Sequence, residues 1–251
     1  MPTLKSLDWD WATSTGGTLS TRQKVELLGP LLRAVTSYPM VRLRLATSLR
    51  GSGRVDLDEL RFPDSALARD AAAEAREVVS PHVLEHSYRT YIFGLALAGL
   101  QGAHIDEELN FVACMLHDTH LEDPTPGRCF AVVGGERAER FALDRGVDDD
   151  RAAALGAAIA GHINIGADSD LGDPAGFVAA GAWADLTGIG LDRFDGEWVD
   201  TVHDRYPRRD LRRNLLTAWE AEQQAVPRGR AQWATRWGGF PTLLKMAPFD
   251  E

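Results

Sequence analysis

The sequence predicts an all-α protein, a helical bundle with helical extensions at both ends. From residue 64 onward, segments rich in Ala, Glu and Leu, which are strong helix formers, follow one another. Ser, Asp and Pro stand where these segments begin, and Gly follows several of their ends. No run of alternating β-branched residues is long enough for a convincing strand, and residues 130–133 are the best short candidate.

The first 62 residues are predicted to form an N-terminal helical extension. Residues 13–17 are predicted to be a loop, and Ser20 is a plausible N-cap for a helix that ends near Gly29 and Pro30. Gly and Pro residues predict breaks at 51–53 and 62–64.

The rest of the chain is predicted to comprise a helical core over 63–190 and further helices with a Trp-rich tail over 191–251. Ser65, or Asp64 before it, caps the first core helix, and Ser80 with Pro81 begins the longest one. Gly146 is placed to end a helix. The predicted helices cover, in order, 66–79, 81–100, 106–117, 135–145, 148–162, 173–187, 196–205 and 208–224.

Composition restricts the partners. Of 251 residues 44% are hydrophobic and 25% charged, which is ordinary for a globular protein, and the formal charge is −10. An acidic chain disfavours sequence-independent binding of nucleic acid or of an anionic membrane, because it has little to neutralise phosphates. The one basic run, residues 205–213, is interpreted as a solvated helix face. The expected partner is a small-molecule substrate, and homo-oligomerisation is compatible with the sequence.

The expected location is the cytoplasm. Cys114 and Cys129 are too few for a disulfide scaffold, which favours a reducing compartment. The longest mostly apolar stretch, residues 91–100, is far shorter than the ~20 residues that span a bilayer. The N-terminus has no basic segment followed by an apolar one, so no signal peptide is predicted.

Five residues carry the chemistry. His117 and Asp118 are adjacent at the end of the helix LNFVACMLHDTH, and imidazole with carboxylate suits Zn, Fe or Mn better than Mg or Ca. His86, His162 and Asp185 each lie on an apolar helical stripe, where a polar group needs a partner. Each alone also fits a hydrogen-bonded core histidine, or an Asp paired with Arg. Together they favour a metal site.

The order of these residues resembles the H…HD…D signature of the HD-domain metal-dependent hydrolases. The segments PDS at 63–65, HSYRTYIFG, GERAERFALDRGV, AIAGHINIG and the final APFDE also look like the cyanamide-hydratase-like members of that superfamily. The resemblance covers residues 57–190, with the C-terminal tail more weakly. It implies an HD-domain helical bundle.

The resemblance implies one divalent metal ion, Zn²⁺ or Fe²⁺, which activates a water molecule. The metal ligands would be His86, His117, Asp118 and Asp185. Asp118 and His162 would be the catalytic residues, with His162 transferring protons or orienting the substrate.

The substrate-binding residues predicted from their positions near these ligands are Arg89, Phe93, Leu116, His120 and Trp183. Arg89 either holds an anion or pairs with a carboxylate. His120 departs from the family pattern, which has Leu-Gly where this chain has Thr119 and His120, and it either reaches the site or lies on the surface. The remaining histidines, His82, His104 and His203, are interpreted as having no functional role.

Three enzyme classes fit this set. A hydratase or hydrolase of a small uncharged C–N compound, such as cyanamide or a nitrile, is favoured because the sequence has no Gly-rich phosphate loop and no basic cluster between residues 80 and 190. A phosphohydrolase of a nucleotide or phosphate monoester is the alternative, and an iron-dependent oxygenase is a further one. A helical binding module with a structural metal is weaker, since such sites usually use thiolate and imidazole ligands. Trp233, Trp237 and Phe240 either cover the site as a lid or pack in the core.

Overall fold

Helices account for the regular secondary structure of the computed structural model, which describes residues 5–47 and 49–249. Among these residues only isolated β-bridges occur outside the helices, so the predicted all-α class is confirmed. The α-helices are α1 (Trp9–Thr15), α2 (Thr21–Glu26), α3 (Leu28–Leu45), α4 (Ala66–Val78), α5 (Pro81–Gln101), α6 (Glu107–Leu116), α7 (Phe130–Leu143), α8 (Asp149–Gly161), α9 (Pro174–Thr187), α10 (Gly196–Arg205), α11 (Leu211–Ala225), α12 (Arg230–Gly238) and α13 (Phe240–Lys245).

The predicted starts of the core helices are largely confirmed, because their caps form. The side chains of Ser65, Asp106 and Asp148 each accept a hydrogen bond from a backbone N–H in the first turn of α4, α6 and α8. Pro81 and Pro174 occupy the first turn, where a missing N–H costs nothing. α6 and α8 end at His117 and His162, so both imidazoles sit at helix C-termini.

The errors of prediction concentrate in the terminal segments. Residues 13–15 belong to α1, which Asp8 caps, so the loop begins only at Gly16. The predicted end near residues 29–30 is instead the first turn of α3, which follows Leu27 directly and tolerates Pro30 there. Residues 130–133 begin α7 and are no strand. Helices α12 and α13 were not predicted.

Helices α5 and α9 pack backbone against backbone at the centre of the core. A Cβ atom at Gly181 would collide with the carbonyl oxygen of Thr90, and one at Gly94 would lie 2.7 Å from the ring of Phe177. Only glycine permits this approach. It brings His86 of α5 and Asp185 of α9 into contact.

The terminal segments complete the walls around this core. The ring of Trp9 fills a gap beside α7 and α8, since Cβ atoms at Gly135 and Gly156 would lie 3.0 and 2.8 Å from it. Trp233 is 4% exposed and packs with Leu19 and Leu27, whereas Trp237 is 57% exposed. Asp250 and Glu251, which end the APFDE segment, lie outside the described residues. No helix within the described ranges has the length and hydrophobicity needed to cross a bilayer.

Candidate metal centre

Three predicted ligands converge where α5 meets the end of α6. One ligand atom each from His86, His117 and Asp118 lies within 4.8 Å of the other two, and all three residues are buried. The Nε2 atoms of the two imidazoles are 3.3 Å apart, and Asp118 Oδ2 lies 3.3 Å from His117 Nε2. Two imidazole nitrogens and a carboxylate oxygen at this spacing are a set that can hold a transition metal.

The outer nitrogen of each imidazole is already occupied. The Nδ1–H of His117 donates to the carbonyl oxygen of Cys114 at 2.7 Å, and that of His86 donates to Asp185 Oδ2 at 2.6 Å. His162, at the end of α8, donates from Nδ1 to the carbonyl oxygen of Ile159 at 2.6 Å. In the neutral form of each ring these acceptors assign the tautomer that directs the Nε2 lone pair inward, which is the arrangement found around metal-binding histidines.

Asp118 is an ionised carboxylate surrounded by imidazoles. Burial would raise its pKa, but the adjacent His117, with His86 and His162 beyond it, outweighs burial and holds the pKa well below its usual range. Its ion-pair contacts among the described residues are all with histidine, at 3.3 Å to His117, 3.7 Å to His86 and 3.8 Å to His162. No Arg or Lys of the described chain reaches it.

His162 joins the same cluster from the opposite wall. Its ring meets that of His117 edge to face at 5.0 Å, and it is 7% exposed. Burial, reinforced by His117, lowers its pKa to about 3. The ring is therefore neutral at pH 7, so its inward nitrogen accepts a hydrogen bond or binds a metal, whereas a pKa this low makes it a weak base. The catalytic role predicted for His162 is compatible with this position.

Asp185 lies behind His86 and is not part of the three-residue cluster. Its Oδ1 accepts from Arg89 Nε at 2.7 Å and from Arg208 Nη1 at 3.0 Å, and its Oδ2 accepts from Arg89 Nη2 at 2.9 Å as well as from His86. The structure thus differs from the predicted ligand set, because both oxygens are engaged with these cations and with the outer nitrogen of His86. In this arrangement Asp185 orients His86.

Arg89 takes the second of its two predicted alternatives, pairing with a carboxylate. It is fully buried, and its Nη1 donates to the carbonyl oxygens of Tyr206 and Pro207. Its guanidinium faces away from the Nε2 side of His86, so the prediction that it binds substrate finds no support in the geometry.

Two partners of Asp185 escaped the sequence interpretation. Arg208 is 3% exposed, so the solvated-face interpretation of residues 205–213 is wrong at this position. His203 Nε2 lies 3.5 Å from Asp185 Oδ1, although His203 was assigned no role. The sequence could have indicated Arg208, because a buried Asp requires a positively charged neighbour and residues 205–213 are the basic run that follows it in the chain.

A pocket of about 50 Å³ opens onto the inward nitrogens. The polar residues in its wall are the four of the cluster, His86, His117, Asp118 and His162. None of the described residues that line it is Arg or Lys. The other lining residues are Leu121, Phe130, Ile163, Ile165, Ala179, Ala182, Trp183, Leu186, Leu215, Trp219, Ala234 and Phe240.

The predicted substrate contacts divide between wall and core. Trp183 lines the pocket, and Phe240 is the member of the Trp-rich tail that reaches it. Phe93, two turns along α5 from His86, stacks on Phe194, and Leu116 packs in the hydrophobic core. Neither residue lines the pocket. His120 is half-buried outside the pocket.

Comparison with models of known protein families gives no match, and comparison with curated proteins gives none either. The resemblance to HD-domain hydrolases therefore rests on the motif residues.

Proposed function

We propose that this protein is a metal-dependent hydrolase or hydratase that adds water to a small uncharged C–N substrate of the cyanamide or nitrile type. The observation that carries the proposal is the environment of Asp118, an ionised buried carboxylate with three inward imidazole nitrogens around it and no guanidinium or ammonium group. Burial would lower the pKa of His117, but Asp118 raises it, so a protonated imidazole compensates the carboxylate in the absence of metal. A bound divalent cation would supply the same compensation and would use the converging nitrogens as ligands.

The residues present fit a divalent metal ion. His86, His117 and Asp118 would hold it, with His162 within reach as a further ligand or as a hydrogen-bond acceptor. Imidazole and carboxylate ligands suit Zn²⁺ or Fe²⁺. Such a cation supplies Lewis acidity, which lowers the pKa of a water molecule from 15.7 towards about 7.

The protein side chains would do the remaining work. Asp185 fixes the ring of His86, and Cys114 fixes that of His117 through its carbonyl oxygen, so both nitrogens are held in place before substrate arrives. The neutral ring of His162 would accept a hydrogen bond from the substrate and so orient it. The apolar wall limits the number of water molecules beside the reacting atoms.

The same wall favours an uncharged substrate over a phosphate ester. A phosphate monoester brings roughly two negative charges at neutral pH. Arg89, which the phosphohydrolase alternative needs, is occupied by Asp185 on the far side of His86. A nitrile-like group requires no such countercharge.

Metal content and a substrate panel test the proposal. We expect protein purified without chelator to contain Zn or Fe by elemental analysis, Asp118→Ala to lose it with unchanged helical circular dichroism, and the exposed helix-end control Asp144→Ala to keep it. Metal-loaded protein should form urea from cyanamide, or an amide from a nitrile, faster than it releases phosphate from nucleoside monophosphates. His162→Ala should retain metal and lose most of the turnover.

Each alternative has its own outcome. Full metal occupancy in Asp118→Ala would overturn the site assignment. Phosphate release without nitrile hydration would establish the phosphohydrolase instead, and oxygen consumption by the iron-loaded protein would establish the oxygenase.

A further inference from the structure

A second cavity of about 150 Å³ adjoins the metal-site pocket. Its walls come from α3, from the segment after α8, from α9 and the residues that follow it, and from α12 and α13. Four residues line both cavities, namely Ile165, Trp183, Ala234 and Phe240. These shared residues form a partition with the metal-site pocket on one side and the second cavity on the other.

The partition consists largely of two aromatic side chains. The rings of Trp183 and Phe240 meet edge to face with centroids 5.6 Å apart. Phe240 also packs on Trp219, with ring centroids 4.3 Å apart. Passage from one cavity to the other therefore requires a change of rotamer at Trp183 or Phe240.

The inner pocket alone is too small for most organic substrates. At about 10–15 Å³ for one water molecule, its volume of about 50 Å³ holds a few such molecules. A reacting group of three or four heavy atoms fits there. The second cavity is three times as large and offers the adjacent space for the rest of a longer molecule.

The chemistry of the second cavity selects an uncharged apolar group. Leu31, Ala34 and Val35 of α3 face Ile189 and Leu243 across it. Its polar lining residues are Ser37, Tyr38 and Asp168, and burial raises the pKa of both Tyr38 and Asp168, so neither is readily charged. None of the described lining residues is Arg or Lys. An anionic ligand would meet no countercharge.

The second cavity is also the outer of the two. The metal-site residues are 0–7% exposed, whereas Val35 in the wall of the second cavity is 51% exposed. A molecule that enters along α3 would therefore cross the second cavity before it reached the partition.

We propose that the substrate is elongated, with its reacting head at His86, His117 and Asp118 and an uncharged apolar tail that passes Trp183 and Phe240 into the second cavity. The identity of the head rests on the proposed function, whereas the tail site is a separate claim. Bare cyanamide would then be a minimal substrate, and nitriles or cyanamides with an alkyl or aryl substituent would be better ones.

Binding of linear primary amides, from acetamide to octanamide, tests the tail site without requiring turnover. We expect isothermal titration of the metal-loaded full chain to show the Kd falling about fourfold for each added methylene, the factor given by ~0.8 kcal/mol of transfer free energy. The series should level off when the second cavity is full.

Ala34→Trp separates the two cavities, because Ala34 lines only the outer one. This variant should abolish the dependence on chain length and leave acetamide binding within about twofold of wild type. Ala154→Trp, a matched change on an exposed position of α8, should retain the full dependence. Leu243→Ala, which enlarges the cavity, should move the plateau to a longer amide.

The outcomes distinguish this proposal from the function on which its head group rests. Equal affinity across the series in wild type, or equal weakening of short and long amides by Ala34→Trp, would overturn the tail site. A normal chain-length dependence in a protein that hydrates no nitrile would support the tail site and contradict the proposed function. Nitrile hydration by a protein whose amide affinity does not depend on chain length would support the proposed function and contradict the tail site.

Discussion

Asp118 and Asp185 lie on opposite sides of His86 and are compensated in different ways. Asp185 is fully buried and pairs with two guanidinium groups, those of Arg89 and Arg208. Asp118 is 5% exposed and has only imidazoles. A carboxylate with permanent cations is a fixed part of the fold. A carboxylate whose neighbours are titratable imidazoles can instead be compensated by a bound metal ion, as the proposed function requires of Asp118.

Glu222 is a third buried carboxylate, and among the described residues it has neither a paired guanidinium group nor a cluster of imidazoles around it. It is 1% exposed, and one oxygen accepts a hydrogen bond from the backbone N–H of Phe130 while the other has no hydrogen bond. Burial raises its pKa to about 7, against weaker opposing effects that include Arg230. The group is therefore largely protonated in mildly acidic solution.

The largest expected effect is a loss of folding stability when one of the two guanidinium groups that pair with Asp185 is removed. Arg89→Met leaves Asp185 with one guanidinium, and removing one partner of a buried pair costs about 3–5 kcal/mol. Denaturant unfolding should show a loss of that size, while Arg69→Met should change stability by less than about 1 kcal/mol, since its pair with Asp64 is exposed. Similar small losses in both variants would refute the assigned importance of the Asp185 pairs.

The uncompensated Glu222 predicts a pH dependence. Because its pKa is raised from 4.5 in the unfolded chain to about 7, the native state holds the proton longer, so the contribution of Glu222 to stability falls as pH rises from about 4.5 to 7 and levels off above that range. The lowered pKa of His162 acts in the opposite direction below about 6.5, so a variant at position 222 is needed to isolate this contribution. The shift corresponds to about 3 kcal/mol at 1.36 kcal/mol per pH unit. The free energy of unfolding of Glu222→Gln, measured relative to wild type at each pH, should therefore rise across that range.

Glu220→Gln serves as its control, because Glu220 is exposed on the same helix. Its free energy of unfolding should have the same pH dependence as that of wild type. A wild-type profile in Glu222→Gln would show that another group titrates in its place.

The imidazoles around Asp118 predict that a bound metal ion stabilises the folded state. A ligand that binds only the folded state adds about 2.7 kcal/mol at about 100 times its Kd. Wild-type protein titrated with Zn²⁺ should therefore unfold at a higher temperature than the chelator-treated protein. Asp118→Asn should show no such rise, and a full rise in that variant would place the metal elsewhere.

A smaller effect is expected on metal affinity when the hydrogen bond between Asp185 and His86 is weakened. Asp185→Asn retains the shape but weakens the acceptor for His86 Nδ1–H, and loss of such an outer partner typically lowers metal affinity by about 10–100-fold. Competition with a chromophoric chelator measures the Kd directly. A complete loss of binding would instead indicate that Asp185 is itself a ligand, as the family resemblance implies.

The sequence predicts the parts of this molecule that depend on neighbouring residues. Capping residues located the starts of most core helices, and the HD pair with His86 located the three-residue cluster. Pairing over long distances was not readable: Arg208 reaches Asp185 across 23 positions, and Arg89 reaches it across 96. Helix α3 was missed because it has no buried residue among those described, so no apolar stripe faces a core, and because Pro30 and Pro39 interrupt its pattern.

The contact of Gly181 with the Thr90 carbonyl also determines the order in which parts of the molecule open. Amide protons of α5 and α9 are locked behind this backbone contact, so they exchange with solvent only when the whole domain unfolds, whereas those of α3 exchange through local opening. Hydrogen–deuterium exchange should therefore separate the two by several orders of magnitude in rate.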